Sequence, residues 1–289
     1  MFAKCCCTGC NAEGTVKSDS FRRGGRAVYM CRDHAFRLMG YTDENHNRLG
    51  NVKENGFTFS WENETSSTTV KGRSELLQAG FIPTSDCTVN VEYKSSIYEG
   101  LNAFSKQCVT IERLIASGDC EIGSGCGSHF HVGHHDYINR ETIDYIARFY
   151  QSLFIPLSDE MREHHDETVA LFGRFFTGAL NDYDGGYARY ITHDMTDRQA
   201  KKHEIFINLQ HDWTIEYRLP KFINAKQYQT VGKMCKEFTS AIIENFIKHF
   251  NEEPTDRNRY ATITEYRKHK ADVTAQKLVR IYRKYAGIR

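Results

Sequence analysis

Net charge is almost absent from this chain. It carries 38 Lys and Arg against 37 Asp and Glu over 289 residues, or +1 with histidine neutral. Global electrostatics therefore points to no partner class. Long apolar runs are missing too. None approaches the roughly 20 residues a helix needs to cross a bilayer, so no membrane association is expected. No apolar stretch precedes Cys5, Cys6 and Cys7, and the N-terminus does not read as a secretion signal. A cytoplasmic location is the corresponding expectation. Ten cysteines without such a signal point to reduced thiols and metal ligation instead of disulfides.

A hydrophobic fraction of 40% is enough for a sizeable core, and the length suits one large domain with a small appendage. Residues 1–40 form the expected appendage. Cys7-Thr-Gly-Cys10 and Cys31-Arg-Asp-His34 are two short knuckles flanking Phe21–Met30, which reads as a hairpin with a Gly-Gly turn. Zinc takes four such ligands tetrahedrally, so Cys7, Cys10, Cys31 and His34 predict a structural Zn2+ in a zinc ribbon. Cys5 or Cys6 could replace Cys7. So short a module folds only with its metal. Arg22, Arg23 and Arg26 leave nucleic acid open as a partner of the ribbon, against plain docking or stability. Residues 41–55 are polar, lack helical period and read as a linker.

The stretch Gly123–Asp136 organises residues 56–289. Small residues open it, permitting close backbone approach. An alternating segment follows in which His129 and His131 share one strand face. Two imidazoles so placed can hold a metal, or a metal and an anion. Phe57-Thr-Phe-Ser-Trp-Glu-Asn-Glu64 alternates likewise, with Glu62 and Glu64 side by side on its polar face. Unless solvated, two such acids call for a hard cation between them. Thr88–Lys94 places Glu92 on its polar side. Ile205–Leu209 and Trp213–Leu219 form an expected antiparallel pair across Gln210–Asp212. In the second, Trp213, Ile215, Tyr217 and Leu219 face one way, and Thr214, Glu216 and Arg218 the other. Residues 65–86 are Ser/Thr-rich and briefly helical around Ser74–Ala79.

Helices are expected at Ile97–Ile115, after an Asn139 cap up to Pro156, from Ser158 onward, after an Asn224 cap, and at Thr274–Tyr285. Arg189 follows the loop Asn181–Gly186 and is a candidate anion binder. The last stretch, from Asp256 to Arg289, has ten Lys/Arg against three Asp/Glu, which reads as a solvated face before a nucleic-acid site.

The expected fold is α+β, an antiparallel sheet with helices covering one face. Its other face would gather Glu62, Glu64, Glu92, His129, His131, Glu216 and Arg218. Four carboxylates, two imidazoles and a guanidinium suit divalent ions, a polyphosphate and a developing phosphoryl charge. A sheet built only for stability has no reason to desolvate so many like charges.

The order Glu-x-Glu strand, acidic strand, Gly-rich His-x-His strand and Thr-Ile-Glu-x-Arg strand resembles the glutamine synthetase-like amidoligases, carboxylate–amine ligases common in phage genomes. Ser60–Glu64, Glu92–Ser96, Cys126–Gly133 and Thr214–Leu219 carry the resemblance. It implies a glutamine synthetase-like catalytic domain over residues 56–289, with the ribbon outside it. It implies ATP and Mg2+ (or Mn2+), and carboxylate and amine substrates, small or peptidic, joined through an acyl phosphate. It implies metal-ligand roles for Glu62, Glu64, His129 and Glu216, with Glu92 fitting less securely. It implies a nucleotide-phosphate contact at His131 and a contact to the transferring phosphoryl group or substrate carboxylate at Arg218. Gly133 stands where glutamine synthetase has a small hydroxyl residue. Competing classes are a zinc metallohydrolase built on His129, His131, His134, His135 and Asp136, a guanidino-type phosphotransferase, and a non-catalytic nucleic-acid-binding protein. Gly133 weighs against the hydrolase, whose motif needs aspartate there.

Metal analysis of the purified chain should find one zinc per chain. Cys10→Ser or Cys31→Ser should release it. A zinc-free chain of equal stability would remove the ribbon.

Overall fold

The structure is a computed structural model and describes residues 16–23, 26–30, 56–84, 91–95, 97–98, 100–123, 125–173, 190–192, 205–219, 222–249 and 262–289. Near the N-terminus, β1 (Val16–Arg23) and β2 (Arg26–Met30) pair antiparallel, closing on Arg23 opposite Arg26. The expected hairpin is present, and its first strand starts earlier than Phe21. Cys7, Cys10, Cys31 and His34, like Cys5 and Cys6, lie outside the described residues, as do the linker and Arg189.

The main body is α+β. Its strands are β3 (Phe57–Thr65), β4 (Ser67–Thr68), β5 (Phe81–Thr84), β6 (Val91–Ser95), β7 (Cys120–Glu121), β8 (Ser128–His134), β9 (Ile207–Asn208) and β10 (Ile215–Leu219). Six of them make one antiparallel sheet in the order β5-β6-β3-β8-β10-β9, while β4 and β7 form a separate small ladder. Seven α-helices occur among the described residues: α1 (Val70–Gln78), α2 (Leu101–Ala116), α3 (Arg140–Arg148), α4 (Tyr150–Glu163), α5 (His165–Phe172), α6 (Ala225–Asn245) and α7 (Ile263–Ala286). None of the helices is long and apolar enough to cross a membrane.

Alternation decides which sheet face is buried. Phe59 and Trp61 on β3, Phe130 and Val132 on β8, and Ile215, Tyr217 and Leu219 on β10 all point to one side and are buried there. Helices α2 and α6 cover them. Phe104 of α2 lies 4.6 Å from Phe130 and 5.2 Å from Trp61, ring to ring. Tyr228 of α6 packs on Trp61, and the Tyr217 hydroxyl shares a 2.9 Å hydrogen bond with Thr239 of α6. Asn63 and Ser128 are polar exceptions on this face, and Ser128 Oγ donates to Asn63 Oδ1 at 2.7 Å. A buried amide is tolerable only with such a partner.

Several boundaries differ from expectation, each for a local reason. The helix capped by Asn139 does not run to Pro156. A capping box joins Asn139 to Thr142, but α3 ends at Arg148, and α4 begins at Tyr150 with Pro156 inside it. An interior proline costs about 3 kcal/mol. Burial of Leu153, Phe154, Ile155, Leu157 and Met161 around it outweighs that cost. Ser158, expected to start a new helix, is buried mid-helix and accepts the Ile191 N–H at 2.7 Å. Strand β5 was not anticipated. It carries Pro83, which an edge strand accommodates.

Trp213 is 68% exposed and precedes β10, so it does not share the buried face of Ile215 and Tyr217. Helix α7 begins at Ile263, well before Thr274, through a Thr262–Glu265 capping box. Its basic residues are partly consumed inside the fold. Arg283 pairs with Glu160 of α4 at 2.7 Å, Lys277 with Glu244 at 3.1 Å and Lys284 with Glu237 at 2.9 Å. Cys108, Cys120, Cys126 and Cys235 are buried and form no disulfide, and Cys108, Cys120 and Cys235 pack in the core.

Phe238→Ala, at the buried contact of α6 with Tyr217, should cost about 3–5 kcal/mol in denaturant unfolding. Val70→Ala, where the side chain is 90% exposed, should stay within about 0.5 kcal/mol.

Candidate functional site

The polar face of the six-stranded sheet is built by register. Strand β8 runs through the middle, with β3 on one side and β10 on the other. Glu62, His129 and Arg218 stand opposite one another in one row, and Lys94 of β6 extends it beyond Glu62. Ser60, His131, Glu216 and Asn208 form the next row. Glu64 faces Glu92 in the row on the other side. Directly opposed side chains in a ladder lie within about 5.5 Å at Cβ, so these groups must interact.

All seven charged or imidazole residues expected on this face are brought together. His129 Nδ1 lies 3.5 Å from Glu62 Oε2 and 3.4 Å from Glu216 Oε1, and its Nε2 lies 3.8 Å from Glu64 Oε1. His131 Nε2 is 3.6 Å from Glu62 Oε1. Arg218 Nη1 donates to Glu216 Oε1 at 2.6 Å. Glu64, Glu92, His129, His131, Glu216 and Arg218 are buried, and Glu62 is only partly open.

The glycine-rich approach to β8 serves a carboxylate. Gly127 N–H donates to Glu64 Oε2 at 2.6 Å, and a Cβ there would come within 3.0 Å of His129 Nε2. At Gly133 there is no room for any side chain, because a Cβ would meet Thr58 Oγ1 at 2.5 Å and the Trp213 carbonyl at 2.7 Å. That explains why glycine stands at this position.

Four participants were not singled out by the sequence. Lys94 Nζ sits 2.7 Å from Glu62 Oε1 and 3.2 Å from Glu92 Oε2, and Thr84 of β5 donates to Glu92 Oε2 at 3.0 Å. His211, in the loop before β10, places Nε2 3.5 Å from Glu216 Oε2 and stacks edge-on with His131 at 5.0 Å. Thr214 Oγ1 bonds His131 Nδ1 at 3.2 Å, which turns the other ring nitrogen toward the carboxylates. Alternation did place Lys94 and Thr214 on this face. His211 precedes its strand and had no periodic signal. The hydrolase motif does not assemble: His134 packs on Phe57 and Tyr137, and His135 and Asp136 join no group of close metal-type donors among the described residues.

The charges set one another's protonation. Burial raises the Glu62 carboxyl, but His131, His129 and Lys94 outweigh it and hold that carboxyl well below its ordinary range. Burial likewise opposes ionisation of Glu216, yet His211, His131, Arg218 and His129 bring it down to about 2. His131 is buried, which disfavours its charge, but Glu62 and Glu216 push its pKa upward. Burial and the Glu62 charge raise Glu92.

Donors for a cation are close enough to share one. Three sets fall within 4.8 Å of each other: Glu62, His129 and Glu216; Glu64, Glu92 and His129; His131, His211 and Glu216. An octahedral ion 2.0–2.1 Å from its ligands spaces neighbouring donors about 3 Å and opposite donors about 4 Å apart. The 3.4 and 3.5 Å separations around His129 Nδ1 lie between those limits. Buried His131 Nε2 and Glu216 Oε2 have only long approaches, to Glu62 at 3.6 Å and to His211 at 3.5 Å, and a cation would satisfy such groups better. Carboxylates with one imidazole fit Mg2+ or Mn2+.

A cavity of about 240 Å3 adjoins the cluster, lined by Thr58 and Ser60 of β3, His134 and His135, and Trp213 and Thr214 ahead of β10. Ser60 and Thr214 both flank His131.

Searches against protein-family models and against curated protein sequences return no match for the chain.

Mn2+ should stabilise the protein by about 2.7 kcal/mol at a hundredfold excess over its Kd, read as a rise in Tm, and His129→Ala should remove that rise. Because an ion held by Glu62 and Glu216 would compete with the proton that these carboxylates favour on neighbouring His131, affinity should increase as pH rises through the elevated His131 pKa. An affinity flat in pH would remove His131 from the site.

Proposed function

We propose that the chain is an ATP- and Mg2+-dependent carboxylate–amine ligase, forming an amide or isopeptide bond through an acyl phosphate. The observation that carries this is the meeting of Glu62, Glu64, His129, His131, Glu216 and Arg218 on one sheet face, with oxygen and nitrogen donors spaced for a shared cation. The α+β architecture with a six-stranded antiparallel sheet supports it. So does the order of motifs by which the sequence resembles glutamine synthetase-like amidoligases.

Glu62, His129 and Glu216 would hold the divalent ion, with Glu64 against the other nitrogen of His129. When bound, the ion would supply Lewis-acid neutralisation of phosphate charge. Buried Arg218, oriented by its 2.6 Å bond to Glu216, would face the equatorial oxygens of the transferring phosphoryl group. His131, held by Thr214, would contact a nucleotide phosphate. The cavity beyond Ser60 and Thr214 would receive the rest of the nucleotide, against the exposed ring of Trp213. The substrate carboxylate takes the γ-phosphoryl group and ADP leaves. The amine then attacks the acyl carbon, losing a proton as inorganic phosphate departs. Closed to bulk water, such a face strengthens every interaction in it. The zinc ribbon would lie outside this chemistry.

The test is ATP turnover with Mg2+ over a panel of carboxylates and amines. ADP, phosphate and an amide are the expected products, and Glu216→Gln should lower turnover by at least about 100-fold while zinc content stays unchanged. A phosphorylated amine instead of an amide would indicate a phosphotransferase. Hydrolysis without ATP would indicate a hydrolase. Equal activity in the parent and Glu216→Gln would take Glu216 out of the site.

A further inference from the structure

Glu62 and Glu92 stand on adjacent strands with a lysine between them. Lys94 shares the polar side of β6 with Glu92 and faces Glu62 across the ladder. Its Nζ lies 2.7 Å from Glu62 Oε1 and 3.2 Å from Glu92 Oε2. An ammonium at those distances does electrostatically what a metal ion does between two carboxylates, and it brings three N–H donors. The other half of the cluster is arranged differently. There Glu62 Oε2 and Glu216 Oε1 approach His129 Nδ1, and the cation at hand is Arg218, whose Nη1 pairs with Glu216 Oε1 at 2.6 Å from the flank instead of lying between two carboxylates.

The charges count the same way. Glu62, Glu64, Glu92 and Glu216 against Lys94 and Arg218 leave a formal charge of −2 among these six side chains, which one divalent ion cancels. A second divalent ion in the Glu64, Glu92 and His129 group would sit beside the Lys94 ammonium, and like charges a few ångströms apart repel strongly away from water.

We propose that Lys94 is a resident cation standing in for one divalent ion on the Glu62–Glu64–Glu92 side, so that this chain loads a single divalent ion, at Glu62, His129 and Glu216. The proposal rests on the metal centre described above and fixes its stoichiometry. Lys94 also orients Glu62. By holding Oε1 it leaves Oε2 toward His129, so the lysine is a positioning residue for the one ion that enters.

Mn2+ titration of the full, zinc-loaded chain, read by electron paramagnetic resonance, tests this directly. The parent should bind one Mn2+ tightly. Lys94→Met and Lys94→Gln, each checked for folding by circular dichroism, should bind two. Two tight ions in the parent, or one in a folded variant, overturns the role of Lys94 while the metal centre stands. No bound Mn2+ in any of the three proteins overturns the metal centre itself. The parent result alone decides between one and two ions should both variants fail to fold.

Discussion

The pairing register of β3, β8 and β10 is the constraint on which the rest depends. Strand side chains alternate with a period of two, so slipping β8 by one residue would turn His129 and His131 into the apolar core and Phe130 and Val132 onto the polar face. The buried face forbids that slip. Trp61, Phe130 and Tyr217 occupy one row, clamped by Phe104 of α2 and Tyr228 and Thr239 of α6. The same contacts that stabilise the core therefore aim Glu62, His129, Glu216 and Arg218 at each other. Those four groups all stand on strands, and a site on rigid elements holds its geometry better than one on loops.

Holding four carboxylates so close is unfavourable without compensation. The structure supplies it locally. Arg218 neutralises Glu216 from two residues along the same strand, Lys94 bridges Glu62 and Glu92, and the Gly127 N–H caps Glu64. The imidazoles take the central positions, where their charge answers to what surrounds them. Each device uses a group that cannot leave the sheet, so the arrangement is set before any ligand arrives. That preorganisation is what the proposed ligase chemistry would require.

Much of this was legible in the sequence because alternation is a local signal. Phe-x-Phe-x-Trp against Thr, Ser, Glu and Glu declares a half-buried strand, and His-x-His and Glu-x-Arg declare their shared faces. Register is a non-local quantity. Nothing in the sequence says that Glu62 lies opposite His129, or that Lys94 reaches Glu62. His211 belongs to a loop, where no period marks it. Trp213 was drawn into the strand by its spacing from Ile215, but β10 starts at Ile215 and the indole stays outside. Pro156 was read as a stop because helix propensity is local, while the burial that retains it is tertiary. Asn139 and Asn224, by contrast, cap as read, since a cap needs only its own first turn.

The polar face is also asymmetric along its strands, and that gives a ligand a direction. At the Glu64 end, Glu92, Lys94 and the Gly127 backbone occupy the space between the carboxylates. At the other end the acids give way to Ser60, Thr58 and Thr214, and the cavity opens there beside Trp213. A polyanion lies best with its most charged end among cations and its neutral end against hydroxyls and a ring. Under the ligase reading, the nucleotide therefore enters past Trp213 with its terminal phosphate toward His129 and Arg218. The acidic Glu64–Glu92 end repels phosphate, so the reversed pose is disfavoured by the same carboxylates that draw the cation in.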